Sequence, residues 1–443
     1  MLSVLKQCLR WSLALSLSAF STITEAQTPD KPTQEKRILA LAEARQIAFE
    51  RNWDLLAAKT GIDTATAQTI VTREYPNPIL ALSTSKIGTH ESSTWLGNGL
   101  WERSYDSIAA VSQLVEIGGK RRARQLSARE GVLNARARFY DAKRSLDQGV
   151  TKAYVSVLLA EENRQTLTES ARALRHEADI AAARYKAGDI SDSDRRQIEN
   201  NAETFELQAR MAEATAVHAR LAVEVLLGVN KPQGNWLPSD TLEKLVALHQ
   251  VFSEGNTNGA RPDVLAAEAA LKGSEADLKL QKALRIPDPT FSALAEHEPP
   301  GGGPAVDTFG FGVSFPLPLW NRNKGGIKAA ESTVKQNEIA LDKVKAQVVM
   351  DIADAQVNYN EASARLQRFQ TKIQPNAGKV RESIAYAYEK GGASLVDLLT
   401  AERDDNSVRL ATAQAMADTA NATADLMAAN NILSQTEWHS DKK

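Results

Sequence analysis

The sequence predicts a mainly α fold with a small β part, built as two copies of a unit of long coiled helices and two strands each. Three observations predict it. Two tracts, Lys120 to Ala187 and about Lys324 to Lys390, read as helix over very long stretches, the second with the clearer apolar seam. Between turn signals, Phe309, Phe311, Val313 and Phe315 alternate with Thr308, Gly310, Gly312 and Ser314, the period of a strand with one apolar face. Landmarks of the first half also return in the second at an offset of about two hundred residues. Composition agrees: 443 residues carry 15 Pro, 24 Gly and only 6% aromatics, which suits long helices with narrow seams better than one large core.

The chain opens with Lys6 and Arg10 before the apolar run Trp11 to Phe20, then the small-residue stretch Thr24-Glu25-Ala26. Residues 1–26 read as a secretory signal peptide, the alternative being a cytosolic N-terminal helix. The single cysteine, Cys8, lies inside this segment, so the mature chain has no disulfide, thiol chemistry or lipid-anchor cysteine. No later run reaches the eighteen or so apolar residues of a membrane-spanning helix. If the exported protein enters a membrane, it must use strands.

Residues 27–37 are a polar, proline-bearing tail. A helix from Ile38 to about Glu74 closes at Tyr75-Pro76-Asn77-Pro78. A short strand at Leu80 to Ser83, a loop over 88–104 with Trp95 and Trp101, and a strand from Ser107 to Ile117 follow. The second strand alternates poorly, because Gln113 falls on its apolar face. Lys120 to Ala187 would make one helix roughly 100 Å long. Gly188 ends it, and Ser191 with Asp194 forms an N-cap arrangement for a helix reaching about Leu227. Ile198, Phe205, Ala212, Ala219 and Leu226 stand in heptad phase on that helix.

A connector over 231–258, with one short helix from Ser239 to Phe252, separates a first repeat (38–230) from a second (259–436); residues 437–443 are a polar tail. Arg261-Pro262-Asp263-Val264-Leu265-Ala266-Ala267 echoes Asn52-Trp53-Asp54-Leu55-Leu56-Ala57-Ala58, and Ile286-Pro287-Asp288-Pro289 echoes Tyr75-Pro76-Asn77-Pro78. A strand from Thr290 to Ala295 and the loop Pro299 to Pro304 lead to the strand ending at Phe315. That strand breaks at Pro316-Leu317-Pro318-Leu319-Trp320-Asn321 into the second long helix, whose seam is Ile327, Val334, Leu341, Val348, Ala355, Ala362 and Phe369; only Pro375 and Gly378 mark its interior. Gly391 to Asp397 matches Gly188 to Asp194 at glycine and aspartate, and a last helix runs to about Gln435.

Function classes narrow by exclusion. A net charge of −2 gives no support for nucleic-acid binding. The six histidines are scattered, with no ligand-spaced pair, and no cofactor motif or catalytic constellation is present. Gly301-Gly302-Gly303 lacks the lysine and helix of a phosphate loop. The basic cluster Lys120-Arg121-Arg122-Arg124 reads as a solvated helix start near a headgroup layer. From pattern alone the strands either join those of other chains in a membrane barrel or form a small soluble sheet capping a helical bundle.

The duplicated unit, the Pro-Asn-Pro and Pro-Asp-Pro turns, the Pro-Leu-Pro-Leu-Trp-Asn-Arg-Asn-Lys-Gly junction and the paired Tyr-x-x-Gly…Asp turns resemble the TolC-type outer-membrane efflux proteins over residues 38–436. Glu116-Ile117-Gly118-Gly119-Lys120-Arg121-Arg122 further resembles the CzcC-like branch, which serves cobalt, zinc and cadmium efflux. The resemblance implies a homotrimer in outer-membrane lipid, with four strands per chain in a shared β-barrel continued by a periplasmic α-helical barrel. It implies a passive exit duct that docks on a periplasmic adaptor and an inner-membrane RND pump, with divalent metals as cargo. Drug efflux and type I protein secretion are alternatives, and a soluble periplasmic adaptor is an alternative of another class. The barrel-to-tunnel junctions would lie at Gly118 and Gly119 and at Pro316, Pro318 and Trp320, the tryptophan in an aromatic belt.

Tyr185, Gly188, Gly391 and Ser394 would form adaptor-docking tips. Asp397 would line the closed mouth as a carboxylate ring, and Tyr388 with Asp194 would latch it. Thr400 and Ala393 depart from the family pattern, which removes a second acidic ring and the latch arginine. Independently of the resemblance, Asp194 and Asp397 stand where a carboxylate caps any helix after Ser191 and Ser394.

Overall fold

A computed structural model of the chain describes residues 37–85, 105–252, 261–298 and 304–432. The N-terminal segment with its tail, the Trp95/Trp101 loop, the Pro299–Gly303 stretch and the C-terminal tail lie outside the described residues.

The first expected helix is divided. Strand β1 (Arg37–Leu39) pairs in parallel with β4 (Trp236–Pro238), and helix α1 (Leu41–Arg51) is separated from α2 (Trp53–Val71) by Asn52. Asn52 breaks the run because its side chain accepts from Leu55 N (3.0 Å) as the N-cap of α2 and donates to Leu226 O (3.0 Å). Strands β2 (Ile79–Ser85) and β3 (Asp106–Leu114) precede α3 (Lys120–Ala187), an uninterrupted 68-residue helix with the expected bounds. The turn at Gly188 leads to α4 (Asp192–Leu226), and α5 (Leu242–Phe252) follows β4, starting three residues later than the sequence suggested.

The second half runs α6 (Pro262–Ala283), β5 (Thr290–Glu298), β6 (Val306–Ser314), α7 (Lys324–Arg368), α8 (Gln374–Glu389) and α9 (Leu395–Ala429). The echoed segments occupy equivalent places, since Asn52 and Arg261 are the N-cap residues of α2 and α6. One turn of π-helix, Phe369–Ile373, joins α7 to α8 just before Pro375. Proline has no N–H to continue the α ladder, and the widened turn absorbs the mismatch. Described helix α9 ends at Ala429, short of Gln435, where Asn431 turns to a positive φ of 55°.

Helix α3 is the spine: α2, α4, α6 and α9 all pack on it, while α7 packs on α6 and α9. One core gathers Val150, Tyr154, Val155 and Leu158 of α3 with Ala44 and Ala48 of α1, Trp236 of β4 and Ala413 to Ala420 of α9. Tyr154 stacks on Trp236 (centroids 6.1 Å) and donates to Leu39 O (2.8 Å), tying the β1–β4 ribbon to the spine. Burial and the Asp240 carboxylate push the Tyr154 hydroxyl up to about 12. A second core joins Leu167, Leu174 and Ala181 of α3 to Ile198, Ala202 and Phe205 of α4 and Leu399 of α9. Buried small residues at Ala202, Ala212 and Ala216 let α4 approach its neighbours closely. None of the described helices is long and apolar enough to cross a membrane.

Candidate functional site

The four remaining strands form one antiparallel sheet in the order β2-β3-β5-β6. Its register puts Leu80, Val111, Ala293 and Phe311 in one cross-strand row, and Leu82, Ala109, Ala295 and Phe309 in the next. Every residue of these two rows is exposed, Phe311 to 90%. The opposite face carries Ala81, Ala110, Leu294 and Gly310, then Ser83, Ile108, Glu296 and Thr308. It is the smaller and more polar face. A Cβ at Gly310 would lie 3.1 Å from Leu294 Cγ, so the glycine makes room there. The apolar face therefore extends over all four strands, not only the Phe309 segment. Gln113 leaves it at its end, donating to Pro76 O (2.8 Å) and Leu114 O (2.9 Å).

The two strand-to-helix junctions use one backbone device. Gly119 (φ 77°) and Asn323 (φ 54°) are the left-handed N-cap residues of α3 and α7. Strand β3 stops at Leu114 rather than Ile117, because the next donors go elsewhere: Val115 N to Pro289 O (2.9 Å) and Ile117 N to Asp288 Oδ1 (2.9 Å). Pro316 and Pro318 lie past the end of β6, and Trp320 is 92% exposed.

Of the basic cluster only Arg122 is exposed; Lys120, Arg121 and Arg124 are engaged by the protein rather than solvated. Lys120 is 3% exposed, and its Nζ meets Asp288 Oδ1 (2.7 Å) and donates to Ile286 O (2.5 Å). Arg124 grips Glu116 with two bonds of 2.6 Å, and Arg121 lies 3.7 Å over the Tyr75 ring while donating to Arg73 O. Sequence reasoning missed this clasp. Its signal was the Pro-Asp-Pro turn, whose acid stands where the first repeat has Asn77.

At the opposite end of α3, Gly188 (φ 85°) and Gly391 (φ 75°) turn the chain in both hairpins. Ser191 Oγ accepts from Asp194 N (3.1 Å), and Arg195 sits over the exposed Tyr185 ring. The second hairpin carries a reciprocal capping box: Asp397 N donates to Ser394 Oγ (3.2 Å), and Ser394 N and Oγ donate to Asp397 Oδ2 (3.0 and 2.6 Å). These bonds to Ser394 hold the exposed Asp397 carboxyl below the usual carboxylate range. Tyr388 is half-buried and its carbonyl accepts from Gly391 N (3.0 Å); within the chain its hydroxyl does not bond to Asp194. The structure thus places Asp397 and Ser394 together, while no bond joins Tyr388 to Asp194 within the chain.

The profile of outer membrane efflux proteins matches residues 44–229 and 256–431. The chain belongs to the outer membrane efflux protein family. Members are efflux proteins of the outer membrane. Among curated relatives, the cobalt-zinc-cadmium resistance protein CzcC of Cupriavidus metallidurans is 27% identical over 388 residues, covering 85% of this chain and 86% of the relative. The nickel-cobalt-cadmium resistance protein NccC of Alcaligenes xylosoxydans xylosoxydans is 25% identical, covering 75% and 71%. Among solved structures, the Campylobacter jejuni CmeC outer membrane channel has a TM-score of 0.73 at 17% identity, covering 91% of this chain and 89% of that one.

Proposed function

We propose that this efflux-family chain is the outer-membrane exit duct of a tripartite system for divalent heavy-metal cations, working as a homotrimer. The sheet carries the argument. It has one continuous exposed apolar face, a smaller and more polar face behind it, and two edges, β2 and β6, each paired on one side only among the described residues. Unpaired edges cannot face lipid, because each bare backbone group there costs several kcal/mol, on the order of a lost hydrogen bond in hydrocarbon. Pairing β6 of one copy with β2 of the next removes both edges and turns every apolar face outward. The two junctions then stand where lipid-embedded strands become tunnel helices, with Trp320 at the membrane surface. The hairpins at Gly188 and Gly391 become the periplasmic tips, where Tyr185, Gly188, Gly391 and Ser394 dock on an adaptor that links the duct to an inner-membrane pump. The metal cargo rests on the names of the two resistance-protein relatives.

Asp397 from each copy would form a cation-attracting ring, with its charge guaranteed by the capping bonds that also fix its place. Tyr388 and Asp194, not bonded to each other within one chain, would meet between neighbours. Fractionation and planar-bilayer conductance of the purified oligomer test the duct: a detergent-dependent trimer that conducts is expected, and a water-soluble monomer without conductance overturns it. Strains lacking the gene, challenged with cobalt, zinc and cadmium, test the cargo. Asp397→Asn keeps acceptors for Ser394 but removes the charge, so it should lower cation selectivity. Reversal potentials in a salt gradient that match the wild type would remove the ring.

A further inference from the structure

The chain has a net charge of only −2, yet its charge is sorted along the strands. Residues 73–78, 115–124, 282–289 and 315–328 link the four strands of the sheet to α2, α3, α6 and α7. These links carry ten Lys or Arg and three carboxylates. The far ends of the same strands carry Asp106, Glu296, Glu298 and Asp307, with no Lys or Arg in residues 83–85, 105–108, 295–298 and 304–308.

The four links are lashed side by side in the order of the sheet. Arg121 of the second donates to Arg73 O of the first, and Lys120 of the second donates to Ile286 O of the third (2.5 Å). Asn323 of the fourth donates to Gln281 O beside the third (2.9 Å). Two of the three acids are neutralised within this belt, Asp288 by Lys120 (2.7 Å) and Glu116 by Arg124 (2.6 Å). Arg73, Arg122, Arg285, Arg322 and Lys324 are all exposed, and none has a carboxylate at ion-pair distance among the described residues. Only the exposed Glu74 is left in the links to offset them. Leu317, Leu319 and Trp320, next to Arg322 in sequence, are exposed too. They continue the apolar edge of the sheet into the cationic belt. A soluble acidic partner would match the cations alone, whereas a lipid layer matches both, with acyl chains against the apolar groups and phosphates against the cations.

We propose that Arg73, Arg122, Arg285, Arg322 and Lys324 form a collar that binds the phosphates of anionic phospholipids in the periplasm-facing leaflet. This rests on the duct reading for the sheet's place in the membrane. Four of the five are arginines, whose planar fork suits a phosphate better than a point charge does. The internal ion pairs matter to the collar because they remove acids that would repel a headgroup. Being exposed, the remaining cations are screened by salt, so headgroup binding is salt-sensitive.

The test titrates the purified full-length oligomer, in neutral detergent, with phosphatidylglycerol or with phosphatidylcholine of the same acyl chains. Native mass spectrometry counts the lipid retained. Phosphatidylglycerol should be preferred by at least about tenfold, and the preference should shrink between about 0.05 and about 0.5 M salt. Combining Arg73→Gln, Arg122→Gln, Arg285→Gln, Arg322→Gln and Lys324→Gln should abolish it. Replacing the four arginines with lysine keeps the charge and should keep a salt-sensitive preference. Five exposed cations of the helical part serve as the control for net charge, through Arg172→Gln, Arg184→Gln, Lys186→Gln, Lys372→Gln and Lys379→Gln. That variant should bind as the wild type does. Equal retention of the two lipids, or an equal loss in the control variant, overturns the collar. Displacement of the lipid by an equal concentration of inorganic phosphate overturns the lipid assignment. Conductance of the same preparations reads the duct separately: a conducting oligomer without headgroup preference sinks the collar and spares the duct.

Discussion

The two strand-to-helix junctions share a backbone plan and differ in everything around it. At the first, Lys120 is buried against Asp288 of the second repeat, and Arg124 is locked to Glu116. At the second, the equivalent Lys324 is exposed, and the junction is braced through Asn323, whose side chain donates to Gln281 O and Oε1 (both 2.9 Å). The asymmetry follows from Asp288 standing where the first repeat has Asn77. A charged acid in one Pro-x-Pro turn demands a charged partner, and the lysine that opens α3 supplies it. A repeated unit can thus keep its backbone while exchanging an ionic brace for an amide one.

The sharpest way to break this comparison is to neutralise the two lysines in turn. Lys120→Met strands Asp288 in a largely buried site and should cost about 3–5 kcal/mol. Lys324→Met should stay within about 0.5 kcal/mol. Denaturant unfolding of the purified protein reads both, and equal losses would show that the two junctions are energetically alike. The next effect concerns the shared backbone. Gly119→Ala forces a Cβ into the left-handed region at about 1–2 kcal/mol. Asn323→Ala should cost at least as much, since it also removes the Gln281 bonds, whereas Asn323→Gly should recover the conformational part. If alanine and glycine at 323 are equally damaging, the amide brace rather than the backbone sets the second junction.

The smallest contrast is between the two hairpins. Ser394→Ala should cost about 1 kcal/mol as a lost cap, and Ser191→Ala somewhat less, because only the second hairpin has the reciprocal bond. The sign of the acid response separates them further. Asp397 is held below its ordinary value, so its contribution is present above about pH 3.8 and is lost as the pH falls through the lower folded value. Acid titration of unfolding should show this limb in the wild type and not in Ser394→Ala. A limb that persists in the variant would mean that Ser394 does not set the Asp397 charge.

Much of this was legible in one dimension. The bounds of α3, the glycine and serine of each hairpin, the seam of α7 and the echo of Asn52 in Arg261 are consequences of local rules. A helix continues while nothing interrupts its ladder, and it turns where glycine permits a positive φ. Where the reading failed, a distant partner had intervened. The helix expected from Ile38 broke because Asn52 found Leu226 O, and Arg37–Leu39 became a strand because Trp236–Pro238 lay beside it. The poor alternation of β3 became intelligible once Gln113 was seen bonding to Pro76.

The sequence by itself determined two runs of a shared plan, the α character, the apolar alternation of β6 and the chemistry available at each turn. Those depend on neighbours a few residues away, whose geometry the backbone dictates. Only the tertiary structure decided that four strands align one apolar face, that Lys120 is buried rather than solvated, and that Tyr154 meets Trp236. These depend on which groups meet across hundreds of residues of chain. A buried charge, unlike a helix, has no signature until its partner is in place.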